Sequence, residues 1–145
     1  MKSAYGILMI CFVFVACGEE IEPLKPLQKG MPNTKTLSTG DVVYDINGEW
    51  DAILDSGPSG KMEDIINITQ EGNKFVGIKL IGNQCFPKGS ETIKGELEKN
   101  GFKSFHTNTA SGWTSANTKI GEKCNKIVIE TPSAGITVDL TLTRK

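Results

Sequence analysis

The sequence predicts an all-β fold, a single antiparallel meander of about seven or eight strands closed into a small barrel. From Asp45 onward apolar and polar residues alternate with a period of two, and Gly and Asn residues interrupt the pattern at short intervals. No window of this region carries the apolar stripe of an amphipathic helix. Such alternation is typical of strands that bury one face. We therefore place the folded domain at residues 45–145.

Residues 1–16 have the features of an export signal. Lys2 precedes an apolar run of about ten residues, which is too short to span a bilayer. The sequence Phe14-Val15-Ala16-Cys17 resembles the bacterial lipobox, with Phe14 where Leu is usual. The resemblance implies that residues 1–16 are removed and that Cys17 is lipidated, which anchors the protein in the cell envelope. The outer membrane is the expected location, and the sequence does not indicate which leaflet. The alternative to a lipobox is an ordinary signal peptide that is cleaved nearby.

Residues 17–44 are expected to form the lipidated N-terminus and a flexible linker. Pro and Gly residues are spread among polar residues in this segment, and no apolar period is sustained. About 25 residues of such a chain reach about 30 Å, which holds a small domain clear of lipid headgroups. The expected role of the segment is spacing.

The strands of the barrel are predicted from their alternation and from the turns between them. The clearest is the last, where four aliphatic residues from Ile136 to Leu142 alternate with Thr and Asp residues. The dipeptide Asn100-Gly101 suits the positive φ values of a type I′ hairpin turn. The predicted strands lie at 48–54, 65–70, 75–81, 92–98, 102–107, 126–130 and 136–143.

The polar segment at residues 108–122 leaves the strand count open. Cys85 and Cys124 are expected to form a disulfide, since disulfides persist in exported proteins. Successive turns of a meander alternate between its ends, so a strand at 113–119 would separate the two cysteines by about 23 Å. Bonded Cα atoms lie within about 7 Å, which favours seven strands and a covering loop at 108–122. Eight strands, with the loop at 82–90 reaching along the barrel, is the alternative.

The sequence Asn47-Gly48-Glu49-Trp50 resembles the Gly-x-Trp opening of lipocalin-like barrels, and the hairpins that follow are similar to small bacterial calycin-type domains. The resemblance covers residues 45–145. It implies that Trp50 packs across the closed end of the barrel and that an open mouth accepts small apolar ligands. The predicted inward-facing residues are Trp50, Ile68, Phe75, Ile93, Leu97, Phe102 and Trp113. The candidate ligand-binding residues are Trp50, Phe75, Phe102, His106 and Trp113.

Two of these candidates admit a second interpretation. Trp113 lies in a polar segment and is expected to plug one end of the barrel, while a recognition anchor on a loop is the alternative. His106 alternates with Phe102 and Ser104, which would let it point into the barrel. A general base needs a positioned partner, and the sequence offers none for His106, so no catalytic residue is assigned.

Composition and motifs exclude several classes of protein. The chain has 16 basic and 17 acidic residues, and its lysines are scattered singly, which is unlike a nucleic-acid binder. Cys11 and Cys17 are assigned to the signal and the lipid site, and one histidine with the remaining Cys85 and Cys124, which lack a CxxC spacing, cannot build a zinc tetrad. Neither a phosphate loop nor a nucleophile elbow is present. We therefore expect no metal, no cofactor and no nucleic-acid partner.

The sequence thus predicts a non-enzymatic cell-envelope lipoprotein, a lipocalin-like binding module for a small apolar ligand or envelope component. Its expected partners are the membrane, through a lipid anchor, and that ligand or an envelope protein. Barrels of this strand number are either just filled by side chains or hold one small ligand. The alternative is therefore a filled β-barrel that acts through its loops as a protein-binding inhibitor or assembly subunit.

Overall fold

The computed structural model of the chain describes residues 27–57, 60–121, 123–133 and 135–145. The regular structure of these residues consists of β-strands. The strands are β1 (Thr34–Thr36), β2 (Val42–Tyr44), β3 (Gly48–Asp55), β4 (Lys61–Glu71), β5 (Lys74–Lys79), β6 (Glu91–Glu98), β7 (Gly101–Thr109), β8 (Gly112–Ser115), β9 (Asn117–Ile120), β10 (Lys126–Ser133) and β11 (Ile136–Arg144).

Nine of the strands form one antiparallel sheet in the order β8-β7-β6-β5-β4-β3-β11-β10-β9. β8 and β9 lie at its two edges, yet only Ala116 separates them in the sequence. This segment at 112–120, which we call the seam, pairs first with β7 and then with β10. The N–H of Ala116 donates to the carbonyl of Phe105 at 3.0 Å. The sheet is therefore nearly closed into a barrel, and the predicted all-β antiparallel fold is confirmed.

The seam overturns two linked predictions, the covering loop at 108–122 and the disulfide. Cys85 lies between β5 and β6, and Cys124 lies between β9 and β10. Because the seam runs as a further strand between them, the two cysteines are at opposite ends of the barrel, too far apart to be bonded. Both carry free thiols, that of Cys85 exposed and that of Cys124 buried. With the seam counted as one strand, the sheet has the eight strands of the alternative, but the loop at 82–90 does not bring Cys85 to Cys124.

The packed region begins before Asp45. β1 and β2 form a hairpin in which Thr34 pairs with Tyr44. Val43 and Tyr44 are buried in the core together with Leu27. Residues 27–44, predicted to be part of a flexible linker, therefore belong to the domain, because their apolar side chains pack on the barrel. The predicted signal at 1–16 and the lipidation site at Cys17 lie outside the described residues.

One end of the barrel, which we call the filled end, is occupied by Trp50. Its side chain is fully buried, and its Nε1 donates to the carbonyl of Ile46 at 3.0 Å. The guanidinium carbon of Arg144 lies 4.6 Å from the centre of the Trp50 ring. Arg144 also donates to three backbone carbonyls, those of Asp45, Asn47 and Cys124. These contacts join β11 to the segment that leads into β3 and to the connection between β9 and β10.

A cluster of three phenylalanines extends the core at the same end. Phe75 is the second residue of β5 and Phe102 is the second residue of β7, and both strands begin at the filled end. Together with Phe105, their ring centres lie 5.0 to 5.6 Å apart in tilted or edge-to-face arrangements. Such pairs are favourable beyond the area that they bury. Large aromatic side chains therefore occupy the interior at this end.

Candidate functional site

A cavity of about 700 Å³ lies at the end of the barrel opposite Trp50, and we call it the cup. The connections β3–β4, β5–β6, β7–β8 and β10–β11 meet at this end. Small-molecule sites in proteins typically measure about 300 to 1,000 Å³. The volume of the cup is therefore that of a ligand site, and it exceeds the small voids that ordinary core packing leaves.

The wall of the cup on β3 and β11 is apolar. Ala52 and Leu54 lie two residues apart on β3, and Val138 and Leu140 lie two residues apart on β11. Residues two apart share one face of a strand, so all four side chains point inward. Ile53, which lies between the first two, is 43% exposed on the outer face. Leu54 pairs directly with Leu140 across the two strands, and the apolar surface is therefore continuous.

Another part of the wall carries hydroxyl groups. Thr107 of β7 and Thr131 of β10 are buried, and their hydroxyl oxygens lie 3.0 Å apart. This hydrogen bond joins the two strands that flank the seam. Thr92, Asn108 and Ser133 add further polar groups to the lining. The cup is thus apolar on one side and rich in uncharged hydrogen-bonding groups on the other.

An ion pair lies inside the cup. Asp64 Oδ2 is 2.8 Å from Lys79 Nζ, and the two side chains are 10% and 9% exposed. The Asp64 carboxylate also accepts hydrogen bonds from the backbone N–H groups of Ile65, Ile81 and Gly82, at 2.7, 3.2 and 3.3 Å. Burial alone would raise the pKa of Asp64, but Lys79 and the N–H groups of Ile65 and Ile81 hold it below the usual value of 3.8. The pair is therefore ionised and adds no net charge to the cup.

The loop at residues 80–90 covers part of the mouth of the cup, and we call it the lid. Its first half lines the cavity. Asn83 Oδ1 accepts hydrogen bonds from the backbone N–H groups of Cys85 and Phe86, at 3.0 and 2.8 Å. Gly82 has a φ of 84°, and a Cβ at this position would lie 2.2 Å from a backbone nitrogen of the same loop. Internal hydrogen bonds and a required glycine therefore fix the shape of the lid.

The five residues that the sequence predicts to bind ligand do not line the cup. Trp50 fills the opposite end, as the resemblance implied, and Phe75 and Phe102 belong to the phenylalanine cluster. The physical reason is space, because large aromatic side chains occupy the interior wherever they point inward. The cavity forms where the inward residues of the strands are aliphatic, hydroxylated or paired with each other. The cavity thus lies apart from these five residues, and ligand binding by them stays a prediction.

His106 lies on the outer face because of a β-bulge. The register of β6 and β7 shifts between Glu96 and Leu97, so that Leu97 pairs with Phe102 while Glu96 pairs with Ser104. The extra residue on β7 inverts the alternation of its side chains. Phe102 therefore packs in the core, whereas His106, four residues later, faces outward. The prediction that the two residues share one face is wrong.

Trp113 also lies on the outer face, in the seam. Its side chain is 38% exposed, and Lys94 Nζ lies 3.9 Å from the centre of its ring. His106 Nδ1 lies 3.4 Å from Ser115 Oγ, close to the same surface. Trp113 therefore does not plug the barrel, and it remains available as a surface contact.

Sequence reasoning missed Asp64 and Lys79, although the alternation contains a signal for both. Asp64 lies two residues before the buried Ile66 on β4, and Lys79 lies four residues after the buried Phe75 on β5. Each is therefore in phase with the inward face of its strand. Charged residues in phase with a buried face are unusual and indicate either a partner or a site. A search for such residues would have identified the pair.

Comparison of the chain with protein-family models found no match, and searches of curated proteins and of solved structures also found none. Within the described residues, no helix is long and apolar enough to cross a membrane. The same residues hold no group of three or more His, Cys, Asp and Glu side chains arranged to bind a metal ion. Fold and cavity together define a small antiparallel β-barrel with one filled end and one open cup.

Proposed function

We propose that the protein is a non-enzymatic binding protein that holds one small, largely apolar molecule in the cup. The observation that carries this proposal is the cavity of about 700 Å³ in a barrel whose other end is filled by Trp50. An apolar wall on β3 and β11 favours the body of such a ligand, since each buried CH₂ group contributes about 0.8 kcal/mol. The hydroxyl groups and the ion pair would orient its polar part.

The proposal includes the expected cellular setting. The lipobox-like sequence ending at Cys17 supports export and a lipid anchor in the bacterial cell envelope, with the outer membrane as the expected site. The Gly-x-Trp opening at Gly48 to Trp50 supports a lipocalin-like binding module. A molecule that partitions into membranes is therefore a suitable ligand, and the surrounding membrane is the expected partner.

A second candidate function is binding of another envelope protein through the outer surface. The observation that favours it is Trp113, a large aromatic residue that is 38% exposed beside Lys94. Around the mouth of the cup, Met62, Ile81 and Ile136 are 43%, 58% and 51% exposed. This candidate predicts that Trp113→Ala abolishes capture of the partner, while ligand carriage predicts that the same variant retains its ligand.

Two measurements test ligand carriage. Native and denaturing mass spectra of the purified protein would reveal a small molecule that is lost on unfolding. Titration with N-phenylnaphthylamine, a neutral probe that fluoresces in apolar sites, would then measure the affinity of the emptied cup. The proposal predicts saturable binding at one site. A protein that purifies without a bound small molecule and does not bind the probe would contradict it.

A pair of variants on one strand locates the binding. Leu54→Trp places a larger side chain inside the cup, whereas Ile53→Trp places the same side chain on the exposed outer face. The first should weaken probe binding by about tenfold or more, and the second should leave it unchanged. Equal effects of the two substitutions would show that the probe binds elsewhere.

A further inference from the structure

The ion pair in the cup has unused hydrogen-bonding capacity. A lysine ammonium carries three N–H donors. Among the described residues, the structure gives Lys79 Nζ one acceptor, Asp64 at 2.8 Å. The remaining donors belong to a side chain that lines the cavity and is only 9% exposed. A ligand in the cup can therefore accept a hydrogen bond from Lys79.

The same pair disfavours a ligand that carries a negative charge. Asp64 already neutralises Lys79, and its own charge is held in place by three backbone N–H groups. A ligand carboxylate would meet the negative charge of Asp64 at close range and would have to compete with it for Lys79. Glu63, an exposed residue that also contributes to the lining of the cavity, adds a second negative charge. A charge without a partner is costly in a site of this kind.

The other polar groups of the lining are uncharged. Thr107 and Thr131 hold each other by a hydroxyl hydrogen bond of 3.0 Å, and Asn108 Nδ2 donates to the carbonyl of Glu91 at 3.1 Å. Hydroxyl groups can donate or accept, so they suit an alcohol, ester or amide. They supply no positive charge that would compensate a carboxylate.

We propose that the cup selects uncharged amphipathic molecules, in which an apolar chain packs on β3 and β11 and a hydroxyl, ester or amide oxygen accepts a hydrogen bond from Lys79. This inference rests on the proposed function and specifies its ligand class. Lys79 acts as the donor, and Asp64 acts as the positioning residue that cancels its charge.

The test compares dodecanol with dodecanoate as competitors of N-phenylnaphthylamine, at an alkaline pH where the acid is fully ionised. The two competitors share one chain and differ in the charge of the head group. Wild-type protein should bind dodecanol at least about tenfold more tightly than dodecanoate. In Asp64→Asn the charge of Lys79 loses the partner that neutralises it at 2.8 Å, and the preference should move toward dodecanoate by about tenfold or more. The double variant with Lys79→Gln also lacks that positive charge and should return to the preference for dodecanol.

Asp55→Asn is the matched control. Asp55 pairs with Lys61 at 3.5 Å, but this pair is exposed and lies outside the lining of the cup. The substitution removes the same charge at the same end of the barrel, and it should leave the preference of the wild type unchanged. An equal shift in Asp55→Asn and Asp64→Asn would overturn the role of the internal pair.

The outcomes separate this inference from the function on which it rests. A wild-type protein that binds neither probe nor competitor contradicts the proposed function itself. Binding with equal or tighter affinity for dodecanoate overturns only the selection of uncharged ligands. If thermal melting shows that Asp64→Asn does not fold, Lys79→Gln carries the test. This substitution should lower the affinity for dodecanoate by about tenfold relative to wild type, and it should lower the affinity for dodecanol by less. If both affinities are unchanged in the variant, the inference is overturned.

Discussion

Replacing Arg144 with methionine is expected to destabilise the barrel by about 3 to 5 kcal/mol without changing the affinity of the cup. The Arg144 guanidinium lies 4.6 Å from the centre of the Trp50 ring. It donates to the carbonyls of Cys124 at 3.2 Å and Asn47 at 3.0 Å, and to that of Asp45. One side chain thus joins three separate parts of the filled end.

The magnitude follows from the contacts that methionine cannot make. The bonds to Asp45 and Cys124 are partly buried, whereas the bond to Asn47 is exposed. A partly buried hydrogen bond from a charged donor contributes about 1.5 kcal/mol, so these two account for about 3 kcal/mol. The cation–π contact with Trp50 adds about 1 kcal/mol, and the exposed bond adds a few tenths. Methionine retains much of the aliphatic contact, so the polar losses dominate.

Urea unfolding followed by tryptophan fluorescence measures this loss. With a slope of about 2 kcal/mol per molar urea, a loss of 4 kcal/mol lowers the midpoint by about 2 M. Lys145→Met is the matched control, since Lys145 is the next residue and its ion pairs with Glu49 and Asp51 are exposed. That control should lose less than about 1 kcal/mol. Equal losses in the two variants would refute the reasoning, and weaker probe binding in Arg144→Met would refute the independence of the two ends.

The ion pair, the thiols and the threonine pair each give a further measurable outcome. Because the pKa of Asp64 is held below 3.8 in the folded protein, its contribution to stability is complete above that value and is lost as the pH falls through the lower folded value. The free energy of unfolding should therefore fall less steeply below pH 3.8 in Asp64→Asn than in wild type, and equal slopes in urea titrations at a series of pH values would contradict this. Iodoacetamide should alkylate Cys85 in the native protein and Cys124 only after unfolding, since burial shields Cys124 and raises the pKa of its thiol. Mass spectrometry counts the alkylated sites. If neither Cys85 nor Cys124 is alkylated after unfolding, the predicted disulfide would be supported instead. Thr131→Val leaves the buried Thr107 hydroxyl without its partner and should lower stability by about 1 to 2 kcal/mol. The double valine variant should recover part of that loss, and strict additivity in urea unfolding would show that the two hydroxyls do not interact.

Alternation in the sequence is sufficient to predict the fold class and most strands, because each of these strands buries one face. The segments predicted at 92–98, 102–107 and 136–143 fall within β6, β7 and β11. The seam escapes this reasoning, since its residues are mostly polar and Trp113, its largest apolar side chain, is exposed. Successive connections do alternate between the two ends of the barrel, and it is the expected disulfide between Cys85 and Cys124 that the structure does not contain.

The site was harder to predict than the strands. A β-bulge changes the face of every later residue on its strand. The alternation of residues in β7 gives no sign of the bulge that turns His106 outward. Aromatic residues suggest ligand contacts, yet in a barrel of this size they remove the space that a ligand needs. The cup forms where the inward side chains of the strands are small or are paired with each other, above all Asp64 and Lys79. Only the phase of these two charged residues marks it in the sequence.

The seam determines which kinds of change the chain can accept. Side chains along a strand alternate strictly, so deleting Ala116 would turn every residue of β9 to the opposite face. Ile120, which is buried, would then point to solvent, and Lys119 would point into the core. Most outward positions of the seam are free to vary, but its residue count is not. In proteins that evolve from this barrel, we therefore expect the number of residues in the seam to stay constant even where their identities change. The turns at either end of the seam can gain or lose residues.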